Sequence, residues 1–475
     1  MDISSFYSEV TLALVAIGLV LVDAVLWPRQ SSRGNGYLAL FGSLIALTFS
    51  LWEWEASAIG YSVGDAISQD AFSAFFDVLI LSAAVGVLLL CLHEAQSRVR
   101  DEFYILLLLS VLGMMLAVSA VDLLVAFLAL ELAGLPLYVL TAGEGRAGIR
   151  GEAAAKLLHW GLLSSAFFLF SAGLLYMATG ATALVDIATY WSGEDVDDVA
   201  RIGAALLVAS LLFKAGMVPF HYWLVDVREG ATTSLSAFMA SAGAASSLAI
   251  LVRILTTGLG PLHPIWVPSI AAFAALTIMA AALMALNQRS LKRLLAYLVV
   301  VQGGCFLAGF GSGRAEGLAA ALFWVVIAAL GIVALFAVVL LGSSPRQTNP
   351  SLSAYGGLGR ERPWLGLLIS ISLLSVAGLP PTAGFHARLF VVYALVDAQL
   401  FWLAILFVVS LPLTFYACAR LWIYMYFRPV PTALRAEPSA ELFAVLLLAA
   451  TAALGFGFAP DILMETARSA AASLM

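Results

Sequence analysis

The sequence predicts an all-α, polytopic membrane protein of about 14 transmembrane helices, built around two inverted five-helix repeats that each contain a broken helix. Three observations carry that expectation. Of 475 residues, 63% are hydrophobic and 11% charged, with a mean hydropathy of +1.02, where a soluble domain carries about 25% charged residues. Basic residues collect in every second connection between apolar segments. Two of the apolar segments are interrupted by glycine and proline in matching ways.

Membrane lipid is therefore the main solvent of this chain. A helix crossing it needs about 20 apolar residues, and only helices and closed barrels satisfy their backbone hydrogen bonds there. Segments meeting this test run near 9–27, 37–57, 71–93, 103–119, 121–141, 154–178, 201–224, 231–256, 266–286, 293–310, 316–342, 364–394, 399–427 and 440–459. The first lies in MDISSFYSEVTLALVAIGLVLVDAVLW, which lacks a basic leader and a small-residue cleavage signature, so it reads as a retained helix. Residues 1–100 hold the first three helices, 101–260 a first repeat of helices four to eight, 261–430 a second repeat of helices nine to thirteen, and 431–475 the fourteenth helix and a tail.

Charge fixes the orientation. One set of alternate connections holds 15 basic residues: Arg29, Arg33, Arg98, Arg100, Arg146, Arg150, Arg228, Arg289, Lys292, Arg293, Arg346, Arg360, Arg362, Arg428 and Arg435. The other side has Arg201, Arg314 and Arg468, and its 179–200 connection is acidic through Glu194, Asp195, Asp197 and Asp198. Short cytoplasmic loops carry the excess of Lys and Arg, so both termini, Asp2 and Met475, are expected on the non-cytoplasmic side. The net charge of −6 says little about partners when so few charges lie outside the membrane, and no nucleic-acid-binding surface is expected.

Helix seven carries FKAGMVPFHYW, with Gly216 and Pro219 in mid-span, and helix twelve carries SVAGLPPTAGFHARLF, with Gly378, Pro380, Pro381 and Gly384. Proline removes a backbone donor and clashes with the preceding turn, so both helices should break, and such breaks are tolerated at membrane depth where they line a polar cavity. From the start of the fourth span to Pro219 is 116 residues, and from the start of the ninth to Pro381 is 115. Five helices are an odd number, so a second such unit enters from the opposite side, the inverted repeat of ion transporters.

Five basic residues fall inside the expected spans: Lys156, Lys214, Arg253, Arg388 and Arg420. An unpaired charge there costs several kcal/mol, so each is a functional candidate. Glu131, in AFLALELAGLPLYVL, sits too deep to reach water easily and needs a cation or a proton. Lys214, just before the break in helix seven, is the economical partner: burial disfavours its ammonium and pairing favours it, which makes a tunable proton carrier. A fixed buried ion pair that only sets packing is the alternative. Lys156 follows Glu152 by four residues, as in an ordinary helix pair, with His159 one turn further on. His221 and His386 each follow a break, where an imidazole either titrates or bonds a freed carbonyl. Arg253 and Arg420 read as structural residues or snorkelling anchors. Cys91, Cys305 and Cys418 stand apart in apolar runs and read as buried thiols. No nucleotide loop, cysteine cluster or metal-spaced His/Asp set is present, so no redox cofactor is expected on this chain.

Taken as a set, LELAGLPLYVL, EAAAKLLHWGLLSSAFFLFSAGLLYMATG, LLFKAGMVPFHYWLVDVREGATTSLSAF, LKRLLAY and LLSVAGLPPTAGF resemble the antiporter-like membrane subunits of proton-pumping NADH-quinone oxidoreductase, respiratory complex I. Those subunits are related to the large subunits of multisubunit cation/proton antiporters. The likeness covers roughly residues 100 to 430, and GLPLYVL is closest to the subunit N branch. It implies that Glu131 and Lys214 form a half-channel switch, that Lys156 is the lysine of the sixth helix, and that quinone reduction in neighbouring subunits drives proton movement here. It further implies a multi-pass subunit of a bacterial inner membrane, with both termini periplasmic, beside an antiporter-like M subunit and small K, J and A type subunits. NADH, FMN, iron-sulfur clusters and quinone are then expected on partner subunits.

The sequence departs from that family in three places. Ala244, in MASAGAASSLAI, stands where the eighth helix usually carries a lysine, Arg388 aligns with a lysine or glutamate of the twelfth, and Gln302 with a histidine of the tenth. A guanidinium stays protonated, so Arg388 biases the field without releasing a proton. Ser241 and Ser247 lie three residues to either side of Ala244, and these three with Gln302 are expected to border a water-mediated path. A complex I subunit, an Mrp-like antiporter exchanging Na⁺ or K⁺ for protons, and a subunit that keeps the scaffold without a complete proton route all fit these residues.

Overall fold

In the computed structural model the described residues are 6–22, 32–56, 61–63, 66–94, 101–143, 149–193, 197–343, 349–429 and 438–475. The expectations placed on Asp2, Arg29, Arg98, Arg100, Arg146, Arg346, Arg435, Glu194 and Asp195 lie outside them.

Nearly all of the described chain is helical. The N-terminal part comprises α1 (Tyr7–Leu21), α2 (Ser32–Ala56), a short hairpin of β1 (Tyr61–Val63) and β2 (Ile67–Gln69), and α3 (Ala71–Glu94). Next come α4 (Asp101–Ser119), α5 (Leu123–Ala142), α6 (Ile149–Thr179), α7 (Leu184–Trp191), α8 (Asp198–Lys214), α9 (Tyr222–Gly230), α10 (Thr233–Ala240) and α11 (Ala242–Arg253). The chain continues through α12 (His263–Leu286), α13 (Leu291–Phe310), α14 (Ala315–Gly342), α15 (Leu358–Glu361), α16 (Pro363–Ala377), α17 (Ala383–Asp397), α18 (Phe401–Phe427), α19 (Ala440–Phe458) and α20 (Pro460–Ala472).

Among the described residues, 11 helices are long and apolar enough to cross a membrane. Three expected spans take another form. The first is the 15-residue α1, the seventh breaks between α8 and α9, and the twelfth breaks between α16 and α17. At each break a glycine occupies the left-handed region and a cis X–Pro bond follows: Gly216 (φ +68) before Val218–Pro219, and Gly378 (φ +76) before Pro380–Pro381. A Cβ on Gly216 would lie 2.2 Å from Leu224 Cδ1, and one on Gly378 would lie 1.9 Å from Arg388 Nε, so both sites exclude side chains by space as well as by torsion.

The eighth span differs from the uninterrupted helix expected over 231–256. It divides at Ser241 (φ −105, ψ −84) into α10 and α11 and ends in a π-turn over Ile254–Gly258. Gly243 weakens the helix just past this point, and the Ser241 hydroxyl bonds back to the Ala237 carbonyl at 2.7 Å. Within the expected 179–200 connection the chain forms α7, which buries Leu184, Ile187 and Trp191.

A paired corner occurs twice. Asp122 caps α5, Leu123 N–H donates to Thr182 C=O (2.9 Å) and Leu184 N–H to Val121 C=O (2.8 Å). Ser290 caps α13, Leu291 N–H donates to Pro350 C=O and Leu352 N–H to Arg289 C=O, both at 3.1 Å. Helix α13 is buried at every residue from Leu294 to Phe310, so it runs through protein on all sides. Helix α14 packs on α13, α16, α17, α19 and α20. Outer helices turn apolar faces outward: Phe167, Phe170 and Met177 on α6, and Phe401, Ile405, Val408 and Tyr416 on α18. Such faces suit lipid or the apolar surface of a neighbouring subunit.

Candidate functional site

Glu131 lies in the middle of α5, and Lys214 is the last residue of α8. Lys214 Nζ stands 3.3 Å from Glu131 Oε1, and the Ser165 hydroxyl of α6 donates to the same oxygen. Both side chains are largely buried, 20% and 16% exposed, so each charge depends on the other. The C-terminal end of α8 adds a favourable dipole for the ammonium. The glycine-proline break thus ends a helix at the point where it presents a cation to a carboxylate.

The pair adjoins a series of three cavities. The first, about 100 Å³, is bordered by Lys214, Tyr138, Ser164, Arg228, Ala244 and Ser247. The second, about 30 Å³, is bordered by Arg228, Ser241, Ala244, Phe306, Gln302 and Trp324. The third, about 10 Å³, is bordered by Gln302, Trp324, Ser375, Gly384 and Ala387 at the break between α16 and α17. Ala244 thus belongs to the wall of the first two cavities and Gln302 to that of the last two. Gln302 Nε2 donates to Val376 C=O at 3.2 Å, near the end of α16. The hydroxyls of Ser241 and Ser247 donate to their own helix carbonyls, Ala237 (2.7 Å) and Gly243 (2.8 Å), and keep acceptor lone pairs.

Lys156 makes the expected contact with Glu152 at 2.7 Å and a second, also 2.7 Å, with Asp226 of α9. Asp226 is also 3.3 Å from Arg293, which bonds Glu229 at 2.6 Å. One half-exposed ionic network therefore joins α6, α9 and α13. His159 stays outside it: the ring is exposed and Nδ1 bonds Ala155 O of its own helix at 2.6 Å. His221 is buried with Nε2 3.4 Å from Met284 Sδ, while its Nδ1 is buried without a hydrogen-bond partner. His386 packs against Phe385 and Phe390. Arg388, 3% exposed, lies over the rings of Trp324 (5.4 Å) and Phe407 (5.9 Å) and donates to Thr414 Oγ1 at 3.3 Å. Arg420 donates to Leu286 C=O at 2.5 Å.

Arg253 does not face lipid: it is buried and holds Asp70 through two bonds of 2.7 and 2.8 Å. Sequence reasoning also passed over Ser165, Asp226 and Glu229, and it placed Arg228 in a connection, whereas Arg228 lies within α9 and is buried. The signal for Asp226, Arg228 and Glu229 was present in VDVREG, where charges of both signs follow directly on a helix break. Among the described residues no three His, Cys, Asp or Glu side chains are grouped to hold a metal ion.

Residues 120–414, which include the pair, both breaks and all of the cavity-lining residues named above, match the family described as NADH:quinone oxidoreductase/Mrp antiporter, TM. The chain belongs to that family. It is 33% identical to NADH-quinone oxidoreductase subunit N of Trichlorobacter lovleyi over 97% of this chain and 95% of that protein. Among solved structures it is similar to a chain of respiratory complex I from Thermus thermophilus, with a TM-score of 0.82 and 30% identity over 96% of this chain and 98% of that one. A chain of the Mrp complex from Dietzia superposes with a TM-score of 0.89 at 20% identity, over 100% of this chain and 98% of that one. At that identity the likeness is one of fold.

Proposed function

We propose that this chain is a membrane-arm subunit of a complex I-type NADH-quinone oxidoreductase, moving protons while quinone is reduced elsewhere in the assembly. The observation that carries the proton role is Lys214 Nζ at 3.3 Å from Glu131, at a helix break and beside a cavity of about 100 Å³. When Glu131 is ionised and close, Lys214 keeps its proton. When Glu131 is neutralised or drawn away, a buried ammonium without its partner is disfavoured and gives its proton to the cavity. The cavity volume leaves room for several waters. Lys156, shared between Glu152 and Asp226, is the group through which charge in α9 and α13 biases that switch.

From the pair, the reading takes the path past Ser247, Ala244 and Ser241 to Gln302, with Arg388 as a fixed charge at its far end. His159, exposed on α6, and His221, with Nε2 on Met284 Sδ, border none of these three cavities and are left off this path. Ser241→Val combined with Ser247→Val is expected to keep assembly and lower redox-driven proton transfer severalfold, measured in proteoliposomes. Unchanged proton-to-electron stoichiometry would remove the path. In this reading residues 101–260 and 261–430 are the two repeats, for which the twice-used corner at Asp122 and Ser290 is the support. Residues 1–100 and 431–475 flank them. NADH, FMN, iron-sulfur clusters and quinone belong to partner subunits, and the neighbours are an M-type antiporter-like subunit and K, J and A type small subunits.

An Mrp-like antiporter is the second reading, favoured by the fold match to the Dietzia chain. The higher identity to proteins named subunit N favours the first. An affinity tag after Met475 tests identity and orientation together. In a bacterial inner membrane the tag is expected to be reachable from the periplasm, and to bring redox subunits and quinone reduction with it. A tag reachable only from the cytoplasm sinks the topology, and a chain isolated without redox subunits favours the antiporter.

A further inference from the structure

Arg228, the seventh residue of α9, is 3% exposed and sits in the wall shared by the first and second cavities. Its Nη2 donates to Met239 C=O at 3.2 Å, while Nε and Nη1 are buried without a hydrogen-bond partner. The acidic residues on either side in sequence do not neutralise it: Asp226 is held by Lys156 and Arg293, and Glu229 by Arg293. Glu131 neutralises Lys214, the other cation of the first cavity. Among the described residues Arg228 therefore contributes one uncompensated, permanently protonated charge. Ala244, which borders the same two cavities, contributes none.

A buried guanidinium with free N–H groups orders water by donating to the lone pairs of its oxygen, and it repels an excess proton on that water. Channels exclude protons and cations with an arginine placed in this way. We infer that Arg228 is an electrostatic barrier between the Lys214 cavity and the Gln302 cavity, set so that a proton crosses only when the Lys214–Glu131 pair changes charge. This rests on the proton-transfer reading of that pair. Without such a barrier, water in two cavities that share Ala244 in their walls would offer a proton a path with no gate.

The test is passive proton conductance of proteoliposomes holding the whole complex, with an imposed pH gradient and no electron donor. Arg228→Gln is expected to raise the conductance about tenfold or more, and Arg228→Lys, which keeps the charge, to leave it near the starting level. Adding Lys214→Met to Arg228→Gln should return it to that level, because the leak runs through the Lys214 cavity. Ala244→Asp places a carboxylate in the same shared wall and should raise conductance with Arg228 intact, so the inference is testable even where Arg228→Gln does not assemble. Unchanged conductance in every assembled variant that removes or neutralises the charge overturns the barrier, as does a leak in Arg228→Lys equal to that in Arg228→Gln. Failure of the underlying reading is distinct. It shows as normal redox-driven pumping in Lys214→Met alone, whatever the passive conductance.

Discussion

Lys214→Met in the intact complex is expected to abolish most of the proton transfer this subunit contributes while leaving the complex assembled. Methionine fills the length of the lysine stem without its charge, so packing at the end of α8 survives. Glu131 is then buried opposite a thioether, with Ser165 as its remaining donor, and takes up a proton in place of its lost partner. The reciprocal change, Glu131→Gln, leaves an ammonium without a carboxylate and drives Lys214 to its neutral form. Each single variant loses the alternation on which transfer depends. The double variant Glu131→Gln with Lys214→Met removes both charges and should be more stable than either single change, yet equally inactive. That non-additivity separates a switch from a packing device. A merely structural pair would instead recover proton-to-electron stoichiometry together with stability in the double variant, which the ratio of acidification to NADH oxidation reads directly.

Much of the fold was legible because lipid imposes few solutions. An apolar run of sufficient length has to be a helix, and the glycine and proline of KAGMVP and AGLPP weaken it in mid-span, so the breaks at Gly216–Pro219 and Gly378–Pro381 were readable, although α5 carries Gly134 and Pro136 without breaking. The Glu131–Lys214 contact was readable for the same reason, since two isolated charges in hydrocarbon need each other. Contacts with a choice of partner were not readable. Lys156 had a local partner in Glu152, and nothing in sequence spacing showed that Asp226 would approach to the same distance from α9. The division at Ser241 was hidden because no proline marks it. Counting one helical turn from Lys156 put His159 beside it, but that turn along α6 leads to an exposed position.

Asp70 shows the same limit with a larger energetic consequence. It caps α3, accepting from Ser73 N–H at 2.9 Å, and it takes both bonds from Arg253 at the end of α11, whose guanidinium also lies 5.1 Å from the Phe72 ring centroid. This contact ties the start of α3 to the end of α11. Asp70→Asn keeps the shape and leaves Arg253, 1% exposed, without a counter-charge. Breaking a buried pair in this way costs about 3–5 kcal/mol. Burial alone would raise the Asp70 carboxyl, but Arg253 and the bonds from Ser73 outweigh it and hold the carboxyl below its ordinary value. The sign of the pH dependence follows. A depressed carboxyl contributes stability that is fully present above its unfolded value and is lost as pH falls through the lower, folded one. The difference in unfolding free energy between the original chain and Asp70→Asn should therefore be largest near neutral pH and shrink on acidification into and below the carboxylate range. Thermal or denaturant unfolding of the purified protein across that range decides the matter, and a difference that stays constant with pH would show that the two bonds position Arg253 without their charge contributing.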